Sequence, residues 1–134
     1  MPAPPALIIH GLADLRRAHA PGLPVTLLSA PGAADYAGPA WWAALLRAGN
    51  HTGPSLLDCA TSPGRALESL ALGLPGLVLR PCPAWARLAA LAQAQGACLL
   101  AAPPPALDLA SPAAARRLAL WLSGEISRPP TPPP

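Results

Sequence analysis

The chain has 134 residues, about the size of one compact domain. Hydrophobic residues make up 52% and charged residues only 11%, which excludes a wholly disordered chain. The net charge is +3 and all nine basic residues are Arg, so Schiff-base chemistry and a P-loop lysine are excluded.

The first apolar run, Ala6-Leu-Ile-Ile9, ends at His10-Gly11 and predicts a strand over 6–9. Leu12 to Ala20 has helical spacing and closes at Pro21-Gly22. Val25-Thr-Leu-Leu28 predicts a second strand, leading into the small-residue loop Ser29-Ala-Pro-Gly32. Gly38-Pro39 opens a helix that carries Trp41, Trp42, Leu45 and Leu46 to Gly49. A third strand is expected over 55–58, then a helix from the cap-like pair Ser62-Pro63 to Gly73. A fourth strand over 76–79 ends at Arg80, and Pro83 opens a helix that stops at Gly96. The fifth strand covers 97–101, and Ser111-Pro112 marks a last helix that runs to about Gly124.

Five strand-helix repeats with short connections predict a three-layer α/β/α sandwich around a five-stranded parallel sheet. The expected strand order is flavodoxin-like, 2-1-3-4-5, a Rossmann-like doubly wound arrangement. Residues 6–124 then form one α/β domain. Residues 1–5 are read as a flexible N-terminal segment and residues 125–134 as a Pro-rich flexible tail.

Three Cys without a CxxC pair fit free thiols in a reducing, cytoplasmic setting rather than a disulfide framework. The N-terminus has no basic segment of the signal-peptide kind, and no apolar run reaches the ~18 residues of a membrane span. The Arg residues are spread along the chain without a basic stripe or stacking aromatics, so neither nucleic acid nor membrane is expected as a partner. No cofactor motif is present, and no spacing supports a metal site.

Ligands of a doubly wound sheet bind beyond the carboxyl ends of the strands, at the point where the strand order reverses. The expected order delivers His10, Gly11, Asp58 and Cys59 to that point, with Ser29, Gly32 and Arg80 beside them. His10 is a candidate base or hydrogen-bonding group. Cys59 is a candidate nucleophile, provided a cation or helix N-terminus lowers its pKa. The loop from Ser29 to Gly32 offers backbone amides to an anion, without the spacing of a dinucleotide or phosphate motif.

Leu56-Leu57-Asp58 followed by Pro63-Gly64, together with Ala102-Pro103, resembles the third and fifth strand ends of response-regulator receiver domains. The resemblance implies a phosphoryl-accepting role for Asp58. The chain departs from that pattern where the chemistry needs it. His10 and Gly11 stand where the family has metal-holding acids, Arg80 replaces a hydroxyl residue, and Ala102 replaces the lysine. Phosphoryl charge would go unsupported there, so Asp58 is expected not to be phosphorylated.

Two functional classes remain open on these residues. One is a non-catalytic interaction or regulatory module, associating as a homodimer through a helix face that includes Trp41 or Trp42. The other is a small-molecule or anion-binding protein, or an enzyme, with its site at the strand-end edge.

Overall fold

A computed structural model describes residues 3–127. The chain alternates strand and helix: β1 Ala6–Ile9, α1 Leu12–His19, β2 Thr26–Ser29, α2 Ala33–Tyr36, α3 Pro39–Ala48, β3 Ser55–Asp58, α4 Pro63–Ala71, β4 Gly76–Val78, α5 Trp85–Gln95, β5 Cys98–Leu100, β6 Ala106–Asp108 and α6 Ala114–Leu122. It is an α/β fold with an entirely parallel sheet.

The sheet has six strands rather than five, in the order β5-β4-β3-β2-β1-β6. The 2-1-3-4-5 order is therefore corrected. Each step from β1 to β5 moves one place in the same direction. Right-handed connections then place every intervening helix on one face of the sheet. Packing agrees with this. Leu7, Ile9, Leu27, Leu57 and Leu77 share one core with residues of all six helices, while Leu28, Leu56 and Val78 form a second cluster that contains no helix residue. Two layers replace the expected three.

Leu28, Leu56 and Val78 are nonetheless buried. The sheet covers them by curling on itself. Ile8, Leu100 and Ala106, from β1, β5 and β6, pack against the same small cluster. Chain geometry requires the curl. A flat six-stranded sheet would hold β5 and β6 about 24 Å apart. Residues 101–105 join them, and fully extended that segment spans only about 21 Å. The sheet therefore bends toward a barrel, with helices outside and an unpaired seam between β5 and β6.

Prolines stand at the strand starts, where a missing N–H costs no ladder bond. Pro5, Pro54, Pro75 and Pro105 each precede a strand directly. Their carbonyls extend the ladder: Pro5, Pro54 and Pro75 accept from the amides of Thr26, Leu27 and Cys98 at 2.9, 3.1 and 2.8 Å. Pro4 also accepts from the Thr26 hydroxyl at 2.8 Å, which ties down part of the N-terminal segment. Gly76 is required at the start of β4, because a Cβ there would run into the Ser55 carbonyl.

The core is built from Leu and Ala around Trp42 and Trp121, both buried. Trp121 Nε1 donates to the Ala6 carbonyl at 2.7 Å and pins α6 to the start of β1. Trp42 Nε1 and Ser55 Oγ are buried without a partner among the described residues. Each such group costs about 1–3 kcal/mol. Past α6 the chain is fastened as far as Ile126, whose amide donates to the Leu120 carbonyl at 3.3 Å. The rest of the expected tail, residues 128–134, lies outside the described residues, as do residues 1 and 2. Among the described residues no helix is long and apolar enough to cross a membrane.

Candidate functional site

The carboxyl ends of the strands carry most of the polar side chains singled out in the sequence, but they form two separate groups. The first lies at the β6–β1 corner. His10 Nε2 is 2.7 Å from Asp108 Oδ1, and a carboxylate only accepts, so Nε2 carries the proton. The same Asp108 oxygen accepts from the Ala110 amide at 2.9 Å. The His10 amide donates to Asp14 at 2.9 Å, and Arg17 reaches both Asp14 (3.3 Å) and the Leu109 carbonyl (3.1 Å). Gly11 follows in an extended conformation and leads into α1.

The second group surrounds β3. Ser29 Oγ accepts from the Asp58 amide at 2.9 Å and donates to the Ala30 carbonyl at 3.0 Å, so its hydroxyl is spent. Asp58 Oδ1 accepts from the Ala60 amide at 2.8 Å. That bond holds a tight turn in which Ala60 takes a positive φ of 49°, unusual for a residue with a Cβ. The Ala60 carbonyl in turn accepts from the Arg80 amide at 2.8 Å. The Arg80 side chain is exposed, and among the described residues nothing is bonded to its guanidinium. Gly32 has a φ of 69°, the left-handed conformation needed to turn the chain into α2.

Cys59 lacks the exposed, cation-paired setting that activates a thiol. Its side chain is fully buried, and burial is the main cause that pushes the thiol up to about 11. The Ser69 hydroxyl works weakly against this, and the negative charges of Asp58 and Asp35 add to it. A thiol in that state is protonated at neutral pH and packs as a small apolar side chain.

The structure does not bring His10 and Asp58 together. In the expected order β1 and β3 would flank a crevice, but here β2 lies between them. His10 faces Asp108 instead, a residue the sequence reading passed over because β6 was not foreseen. Its signal was the short run Ala106-Leu-Asp-Leu109 directly after three prolines. No cluster of three or more metal-ligating side chains exists among the described residues. Ser62 caps no amide of α4; its hydroxyl donates to Asp35 at 2.7 Å.

The two tryptophans of α3 differ in burial. Trp42 is fully buried and Trp41 packs partly against the core, their rings 6.0 Å apart, so Trp42 cannot meet a partner. Large apolar side chains are exposed at several places, among them Tyr36, Leu72 and Leu120, and two of them, Leu67 and Leu91, share a groove. This groove of about 690 Å³ runs between α4 and α5, lined by Pro63, Gly64, Leu67, Arg87, Leu88 and Leu91 among others. Leu67 is 52% exposed and Leu91 42%. In sequence these two leucines continued the apolar faces of their helices, and only the packed structure shows that their ends stay open. Comparison of the chain with family models, curated proteins and solved structures found no match.

Proposed function

We propose that this protein is a non-catalytic interaction module of the cytoplasm that pairs with a second copy of itself through the α4–α5 groove. The observation that carries the reading is the groove itself, where Leu67 and Leu91 stand open to solvent on adjacent helices. Exposed apolar surface rimmed by charge marks interaction sites. Arg87 on α5 lines the groove, and on α4 the exposed Glu68 follows the lining residue Leu67. A two-fold contact sets α4 of one copy against α5 of the other, and the same patch serves both partners. In such a pairing Arg87 is available to an acid of the opposite copy such as Glu68, which among the described residues pairs with its own neighbour Arg65 at 2.8 Å.

The strand-end edge supports the same reading from the other side. Ser29 Oγ, Asp58 Oδ1 and His10 Nε2 are engaged within the fold, and the buried Cys59 thiol is pushed toward its protonated form. The three free cysteines support a reducing compartment. Sedimentation velocity over a micromolar concentration series is the test. The native chain should move from monomer to dimer, and Leu67→Glu should stay monomeric. A native chain that remains monomeric throughout, or a Leu67→Glu chain that dimerises equally well, contradicts the proposal.

A further inference from the structure

At the amino ends of the strands, opposite the polar edge, the curled sheet opens into a second cavity of about 480 Å³. Its wall comes from the inner sheet face at Thr26, Leu56, Cys98 and Leu100, from prolines before the strands, and from Trp121 and Ile126 at the end of α6. The volume falls in the range of small-molecule sites, ~300–1,000 Å³.

The chemistry of the wall selects the ligand. No charged side chain lines the cavity. Prolines 4, 5, 54, 75, 104 and 105 contribute ring carbons and no N–H donors. Five of the carbonyls at this end are already engaged. Pro4 accepts from the Thr26 hydroxyl, Pro5 from the Thr26 amide, Pro75 from the Cys98 amide and Ala6 from the Trp121 indole. Pro54 accepts twice, from the Leu27 amide and from His51 Nε2 at 2.9 Å. The hydroxyl side chains of the wall are Thr26, Ser55 and Ser127. The Ser55 hydroxyl, without a partner among the described residues, can meet one polar atom of a ligand. An ionic ligand would lose its hydration here with no opposite charge to compensate. An apolar one would lose nothing and would leave water.

We infer that this cavity is a binding site for a small, uncharged, predominantly apolar molecule. The site is independent of the α4–α5 groove and lies at a different place on the fold. Its seam between β5 and β6 leaves Cys98 exposed at the rim.

The probe is N-phenyl-1-naphthylamine, an uncharged aromatic amine whose emission rises in apolar surroundings and which accepts energy from Trp121 in the wall. The full chain should bind one probe per protomer. Cys98→Trp should weaken binding at least tenfold by filling the rim, while Leu67→Glu, in the other groove, should leave it unchanged. Alkylation of Cys98 with N-cyclohexylmaleimide in folded Cys82→Ala protein should block binding in the same way, without relying on a variant that has to fold. Trp121→Phe should remove most of the energy transfer. No binding to the full chain overturns the inference. So does equal binding after Cys98 is blocked, or loss of binding in Leu67→Glu. Displacement of the probe by a micromolar proline-rich peptide would assign the cavity to a peptide and overturn it too.

Discussion

The strand-end edge and the α4–α5 groove differ most in what their side chains already touch. At the edge, the carboxylates of Asp58 and Asp108 and the hydroxyl of Ser29 each hold a backbone amide. In the groove, Leu67 and Leu91 turn about half of their surface to water. Polar residues at a strand end are the usual signature of a site, yet here they close turns. The leucines look like ordinary helix residues, yet they stand open to solvent side by side in one groove. Function is read better from unmet chemistry than from residue type.

If this contrast is right, edge substitutions cost stability and spare association, and groove substitutions do the reverse. The largest effect is expected for Leu67→Glu. In the proposed two-fold dimer it would remove an apolar contact made twice, and it should weaken pairing on the order of a hundredfold. Leu and Glu have similar helix propensity, so thermal unfolding of the variant monomer should shift by less than about 0.5 kcal/mol. A large stability loss would mean that Leu67 belongs to the core.

Next in size is Asp58→Ala. It removes the carboxylate that fastens the Ala60 turn. Hydrogen bonds to charged groups contribute about 1.5–3 kcal/mol, and chemical denaturation should show a loss of about 2 kcal/mol. The dimer constant should not move. Treatment of the native chain with acetyl phosphate and Mg²⁺ should leave its mass unchanged, and an Asp58-dependent gain of one phosphoryl group would restore a receiver-like reading of the edge. His10→Ala should cost less, about 0.5 kcal/mol, because the His10–Asp108 pair is roughly 40% exposed on both sides, at 39% and 41%.

A smaller effect depends on pH. His51 Nε2 donates to the Pro54 carbonyl, which leaves its Nδ1 to accept from His19 Nε2 at 2.9 Å. Burial, and then the neighbouring His51, lower the pKa of His19 below its usual 6.5. A group depressed in the folded state contributes stability that is present above pH 6.5 and lost as pH falls through the folded pKa. Unfolding free energy should therefore decline as the pH drops below 6.5, and His19→Asn should flatten the decline. An unchanged slope in that variant would remove His19 from the account. Thiol titration supplies the last contrast: Cys98 should react promptly in the native chain, and Cys59 only after unfolding.

Much of the fold was legible in the sequence. Five apolar runs bounded by Gly and Pro marked β1 to β5, and the observed strands fall within a residue or so of the expected spans. β6 was hidden because three prolines precede it and only three residues form it. Missing it changed the whole arrangement. Local pattern shows where a strand lies but not its neighbour, and with β6 beside β1 and β2 between β1 and β3, the sheet curls instead of lying flat. Of the candidate edge residues, Asp58 and Ser29 do sit side by side in space, across β2 and β3. Their engagement with backbone amides was not readable from spacing, because a turn such as that at Ala60 has no sequence signal when an alanine occupies the left-handed position.

Amide hydrogen exchange of the full chain at two protein concentrations, one below and one above the onset of pairing, separates the groove from the edge. α4 and α5 should gain protection at the higher concentration, while α3, α6 and the turn at Ala60 exchange at the same rates in both. Protection gained across α3, or at the strand-end edge, with α4 and α5 unchanged, would contradict pairing through the groove.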